Sequence, residues 1–304
     1  MASLIFSIPK HLRVITDRGY HLFRVTIVYS NIWVAAAIAS LVVFVQDTLG
    51  LDWQWAPVLL IFASALIPYN LDRIADSYVQ EIPDGKAQAY FQQGWGWVVL
   101  IAATAATGIL LYYADRSVLL VSLGGLVPLI YGLPLFPWWR QHRLQWWRLK
   151  DIPASKAWLV AGIITYALIA VPLAYAHAPF TLSAGLTSFF LLIFIGTNSH
   201  LFDVRDLESD RQAGVLTLPL LVGLSNHRQI WTALNLVALA VVGWGWLQHL
   251  SVPSPLVAIP CVAANLIAIW LIRPATPRPL YSLCIDGYLW LPSLIVAVIR
   301  AFQL

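Results

Sequence analysis

A chain of 304 residues with 60% hydrophobic and 11% charged residues has too little polar surface to cover a water-soluble globule, in which roughly 25% of residues are charged. Mean hydropathy is +0.76, which points to the bilayer as solvent. The net charge of +4 does not indicate a nucleic-acid partner, because the basic residues lie between apolar segments and not along one polar face.

No cleavable leader is expected. Lys10, Arg13, Arg18 and Arg24 precede an apolar run long enough to span. Residues 1–25 read as a cytoplasmic or interfacial lead-in, with Leu4, Ile5, Phe6, Leu12 and Val14 dipping into the membrane surface. A spanning helix needs roughly 20 mostly apolar residues. Candidate spans fall at about 26–46, 54–70, 95–113, 117–136, 157–175, 181–199, 229–248, 252–272 and 284–302. Gly124, Gly125, Pro128 and Pro134 interrupt the fourth, a break that membrane helices tolerate when neighbours satisfy the freed backbone groups. The expected fold class is all-α, a single polytopic domain over 1–304 with about nine transmembrane helices. With the N-terminus cytoplasmic, 16 of the 18 Lys and Arg residues face inside and only Arg116 and Arg300 face outside. The long polar loops then lie on the cytoplasmic side, where function is expected.

Within the spans, Asn31 and Asn198 read as helix–helix hydrogen-bonding groups. Asp286, at the start of the ninth, reads either as a helix cap at the cytoplasmic interface or as an intramembrane functional carboxylate. Cys261 and Cys284 give neither a disulfide framework nor a zinc spacing and read as buried apolar side chains.

Two acidic clusters sit at equivalent places, four spans apart. Asp72 and Asp76 follow the second span and share a helix face; Asp203, Asp206 and Asp210 follow the sixth at i, i+3, i+7. The recurrence implies a pseudo-repeat with one extra helix at the end. In full water such carboxylates are a tolerable solvated helix end. Partly out of water, at an effective dielectric of ~20 and ~6 Å, each close pair costs roughly 3 kcal/mol, which a divalent cation offsets. All-oxygen ligands point to Mg²⁺, which binds through one or two carboxylates plus substrate phosphate. Arg73, Arg205 and Arg211 neighbour the carboxylates, and Arg140, Arg143, Arg148, Lys150 and Lys156 follow the fourth span. These bases serve either positive-inside topology or a departing diphosphate.

The stretch Asp203-Val204-Arg205-Asp206-Leu207-Glu208-Ser209-Asp210-Arg211-Gln212-Ala213-Gly214-Val215-Leu216-Thr217-Leu218-Pro219 resembles the second aspartate-rich motif of the UbiA superfamily of intramembrane prenyltransferases, D-x-x-D-x-x-x-D-R-x-x-G-x-x-T-L-P. Asp72, Arg73 and Asp76 match the second half of that family's first motif, N-D-x-x-D-R-x-x-D. Pro68 and Tyr69 stand at its asparagine and first aspartate, with Asn70 nearby but out of register. Tyr131-Gly132-Leu133-Pro134, followed by Arg148-Leu149-Lys150, is similar to the family's Tyr and Lys element, at a longer spacing. The chain is thus identified as a divergent member with an atypical first motif.

The resemblance implies a UbiA-type helical bundle and transfer of an isoprenoid from an allylic prenyl diphosphate to a lipophilic or aromatic, membrane-associated acceptor. It implies Asp72, Asp76, Asp203, Asp206 and Asp210 as the catalytic, Mg²⁺-binding residues. Asn70, Arg73, Tyr131, Lys150, Lys156, Arg205 and Arg211 are implied as substrate-binding. His200, three residues before Asp203, is a single histidine and a weak candidate for a base. The rival readings are a non-catalytic isoprenoid-lipid-binding protein, favoured by the altered first motif, and a small-molecule transporter, whose site would lie nearer mid-membrane.

Overall fold

The computed structural model describes residues 22–79, 85–127, 136–140, 143–147 and 152–302. The helices are α1 (Ile32–Thr48), α2 (Trp55–Val79), α3 (Gly85–Gln92), α4 (Trp95–Tyr112), α5 (Arg116–Ser122), α6 (Ser155–Tyr175), α7 (Leu182–Arg205), α8 (Leu207–Ala213), α9 (Leu218–Val222), α10 (Leu224–Leu247) and α11 (Pro255–Leu271). A final segment, α12 (Arg278–Phe302), is broken by a π-helical turn at Tyr281–Ile285 and a 3₁₀ turn at Tyr288–Trp290. Six of these helices are long and apolar enough to cross a membrane, and Ile32–Thr48, Arg116–Leu126 and Pro255–Leu271 are shorter apolar helices. Each expected span therefore has a helix in it, and the chain is a multi-pass helical membrane protein.

Some boundaries move. α2 runs on to Val79 and α7 to Arg205, so Asp72, Asp76 and Asp203 lie on helices and not beyond them. In the fourth segment the helix is short: a 3₁₀ turn occupies Leu123–Leu126, where Gly124 and Gly125 weaken the α form. Phe136 already belongs to a strand. Phe136–Arg140 (β1) and Arg143–Trp147 (β2) pair antiparallel, Phe136 opposite Trp147 and Arg140 opposite Arg143. This hairpin was not foreseen, because its aromatic residues extend an apolar run and so imitate a helix end.

α1 is the central element. It packs against α2, α6 and α12, and Ala35, Ala37, Leu41, Val42 and Phe44 are fully buried. Its apolar surface continues all the way round, as it must for a helix enclosed by others. α4 is the opposite case: Val98, Ile101 and Ile109 are exposed, an outward apolar face suited to lipid. The first and last helices close against each other. The Trp33 indole N–H donates to Leu283 O at 3.2 Å, Ser293 Oγ donates to Ser40 O at 2.5 Å, and Arg300 meets Asp47 at 2.5 Å. The Arg300–Asp47 pair puts the C-terminal ends of α1 and α12 on one face, so these two helices run parallel.

Polar side chains tie the helices inside the apolar bundle. Asn31 Nδ2 donates to Asn70 Oδ1 at 3.3 Å, and Asn198 Nδ2 donates to Ile285 O at 2.6 Å. A longer network links α7, α10 and α11: Asn265 Nδ2 donates to Asn235 Oδ1 at 2.7 Å, and Asn235 Nδ2 donates to Thr197 Oγ1 and Trp231 O, both at 2.8 Å. Next to Thr197, Gly196 leaves room for Trp231. A Cβ at Gly196 would meet the Trp231 ring at 2.9 Å, and Trp231 is fully buried with nowhere to retreat. Gly196→Ala is expected to cost about 1–3 kcal/mol, read as a lower melting temperature, and Trp231→Phe in the same chain should recover part of it.

Candidate functional site

The acidic and basic residues that the sequence singles out come together where α2 and α7 end and α6 and α12 begin. At the end of α7 the helix breaks for one residue at Asp206 (φ −94°, ψ 11°) and resumes as α8. The break turns the expected straight stripe into a bent one. Asp203 and Asp210 are buried, while Asp206 is half-buried. Asp206 is gripped by its neighbour: Arg205 Nε and Nη2 donate to its two carboxylate oxygens at 2.8 and 2.6 Å. Arg205 is held in turn over the rings of Phe202 (4.7 Å) and Tyr281 (5.6 Å). Burial alone would raise the Asp206 carboxyl, but the Arg205 bonds and charge outweigh it and hold Asp206 below the ordinary range. The Asp210 carboxyl goes the other way. Burial pushes it up and Asp206 adds to the rise, against the pull of Lys156.

Lys156 is the common counter-charge, acting on Asp203, Asp206 and Asp210 together. Its placement depends on a strained turn. Ala154 adopts a left-handed conformation (φ 58°), and its N–H donates to Leu216 O at 2.7 Å. That bond anchors the start of α6 to the loop after α8. A non-glycine residue held there is unusual and marks a position fixed by its surroundings.

Asp286 joins the two clusters. It had two readings from sequence, one of them a helix cap. The cap reading fails, because α12 begins at Arg278 and puts Asp286 about two turns further in. There it feels the charges of both Arg205, from α7, and Arg73, from α2. Asp286 is half-buried there.

The other expected site residues are placed as follows. Asp72 is exposed and Arg73 half-buried on the last turns of α2. Asp76 lies on the same helix, and its side chain is outside the described residues, as are Tyr131 and Lys150 entirely. Asn70 is fully buried, and its carboxamide is engaged with Asn31, Ser30 O and Leu66 O, which ties α2 to the start of α1. Arg211 is exposed and paired with Glu208 at 3.4 Å.

Among the described residues no group of three or more His, Cys, Asp or Glu side chains forms a ready cage for a metal. Mg²⁺ does not need one, since it takes one or two carboxylates and completes its shell with phosphate oxygens and water. The donor set fits that pattern: the oxygens are hard, and Asp210 Oδ2 is buried with no hydrogen-bond partner among the described residues. The apolar cleft lined by Leu239, Val242, Pro253 and Ala258 lies between α10 and α11 at the opposite ends of those helices and carries no charged group.

No family model and no curated protein matches the sequence. Solved structures do. A UbiA homologue from Archaeoglobus fulgidus bound to GPP and Mg²⁺ aligns with a TM-score of 0.64 at 16% identity, covering 91% of this chain and 98% of that one. The apo structure of a UbiA homologue from Aeropyrum pernix K1 aligns at 0.63 and 16%, covering 89% and 98%. This chain has the UbiA fold. The Archaeoglobus homologue bound to DMAPP and Mg²⁺ aligns at 0.61 and 14% identity, covering 90% of this chain and 99% of that one. The UbiA fold thus accounts for about nine-tenths of the chain.

Proposed function

We propose that the chain belongs to the UbiA superfamily and is a Mg²⁺-dependent prenyltransferase, moving an isoprenoid from an allylic prenyl diphosphate to a lipophilic or aromatic acceptor in the membrane. The observation that carries this reading is the charge assembly of Asp203, Asp206, Asp210, Lys156, Arg205 and Asp286, which also reaches Arg73 of the first cluster. It sits in a fold whose solved examples include homologues bound to GPP or DMAPP with Mg²⁺. In this reading the acidic ends lie at the cytoplasmic membrane face, as the distribution of Lys and Arg favours.

Asp203 and Asp210, with Asp72 and Asp76 from the first cluster, would hold Mg²⁺ beside the diphosphate. Once bound, Mg²⁺ supplies charge neutralisation that makes the diphosphate a better leaving group. Asp206 keeps Arg205 oriented, and Lys156 and Arg73 meet the negative charge that grows on the departing oxygens. Tyr131 and Lys150 are proposed contacts to the same group. The apolar helices exclude water from the allylic cation, which water would otherwise quench.

The test is diphosphate release from GPP by the purified protein, with and without Mg²⁺. Release that EDTA abolishes and Mg²⁺ restores is expected. Tight GPP binding without release would favour a non-catalytic isoprenoid-binding protein instead, and GPP-independent solute flux in proteoliposomes would favour a transporter.

A further inference from the structure

Behind the charge assembly lies a second polar group that the transfer reading does not use. His200 stands one turn before Asp203 on α7, and both are buried on the inward face. His227 and Trp231 come from successive turns of α10, and Trp158 from the first turn of α6. His200 lies 4.2 Å from Trp231, 5.3 Å from Trp158 and 5.9 Å from His227, centroid to centroid, while Trp158 and Trp231 stack at 4.9 Å. His200, His227 and Trp231 are 1%, 2% and 0% exposed.

Four ring nitrogens of this box have no hydrogen-bond partner among the described residues: His200 Nε2, His227 Nδ1, His227 Nε2 and Trp231 Nε1. Buried polar atoms are rarely left so, because each orphan costs about 1–3 kcal/mol. Their chemistry narrows the ligand. His200 Nδ1 lies 2.9 Å from Gly196 O. A carbonyl only accepts, so Nδ1 carries the hydrogen and the neutral ring presents Nε2 as a bare acceptor. Trp231 Nε1 only donates. A group that donates to one nitrogen and accepts from the other is a hydroxyl.

We propose that His200, His227 and Trp231 form a buried subsite for a hydroxyl group of the acceptor, with His200 Nε2 receiving its O–H. The proposal rests on the transferase reading. When that hydroxyl is the nucleophile, its oxygen bonds to C1 of the prenyl group as the C1–O bond to diphosphate breaks. The electron pair leaves with the diphosphate, and the hydroxyl proton passes to Nε2.

The experiment uses 4-fluorophenol and 4-fluoroanisole, which differ in the O–H alone, read by ¹⁹F NMR with the full chain in nanodiscs and protein-free nanodiscs as the partition control. The phenol is expected to bind the unmodified protein at least tenfold more tightly than the anisole. His200→Phe, which keeps the ring and removes the acceptor, should shrink that difference below threefold. Equal binding of the two probes, no binding of either, or a difference that survives His200→Phe overturns the subsite. Mg²⁺-dependent release from GPP is measured on the same samples. Release without phenol discrimination sinks the subsite alone; discrimination without release sinks the transferase reading and leaves the hydroxyl site standing.

Discussion

Asp203→Asn is expected to cut Mg²⁺-dependent diphosphate release from GPP by on the order of 100–1000-fold, while melting in EDTA stays at or above the unmodified value. The two halves of this expectation have one cause. Asp203 is 4% exposed and shares its surroundings with Asp206 and Asp210. Without a cation, a third carboxylate in that space is a liability, since both desolvation and repulsion act against its charge. The amide has the same shape and removes the charge. In the proposed transferase the same charge would draw the cation and diphosphate to the end of α7, and a neutral amide is a poor Mg²⁺ ligand. Release above a tenth of the unmodified rate would place the chemistry elsewhere in the molecule. A large drop in melting temperature would show Asp203 to be a structural group.

The second large effect is expected at Asn235. Asn235→Leu removes the bonds to Thr197 Oγ1 and Trp231 O and leaves Asn265 Nδ2 without its acceptor. Asn265 is fully buried, so its carboxamide finds no water in exchange. The loss should reach about 1–3 kcal/mol, at the upper end of what single interhelical bonds contribute in membranes. The double variant Asn235→Leu/Asn265→Leu should be less damaging than the first substitution alone, because it removes the orphaned group together with its partner. Unfolding titrations in mixed micelles check both values. A double variant weaker than Asn235→Leu would mean that the network contributes more than paired bonds.

The helical class, the approximate position of every span and the bonding roles of Asn31 and Asn198 were legible, because apolar runs of spanning length and rare intramembrane amides are strong signals. The ends of those runs were not. Arg73 and Asp203 are polar yet helical, so hydropathy stops before the helix does. The β1–β2 hairpin was hidden by its tryptophans. For the candidate site, Asp203, Asp206 and Asp210 could be picked out by spacing, and Lys156 by its place in a basic run. That Arg205 is clamped to Asp206 depends on the one-residue break between α7 and α8, which no spacing rule announces. Asp286 stands out in the sequence as a carboxylate within a span, but its place near Arg205 and Arg73 follows from where α12 starts. The box around His200 needed three helices to be brought together before His227 and Trp231 became its neighbours.

The seam between α1 and α12 has a consequence for how the chain is made. Trp33 waits for Leu283, 250 residues later, and Ser40 for Ser293, 253 residues later. At ~5–20 residues per second of synthesis, the interval is roughly 12–50 s. Throughout that time the helix destined for the middle of the molecule has one flank uncovered, and Asp286 has yet to emerge from the ribosome. Nascent chains stalled before residue 283 should therefore be the protease-sensitive, chaperone-dependent stage of biogenesis.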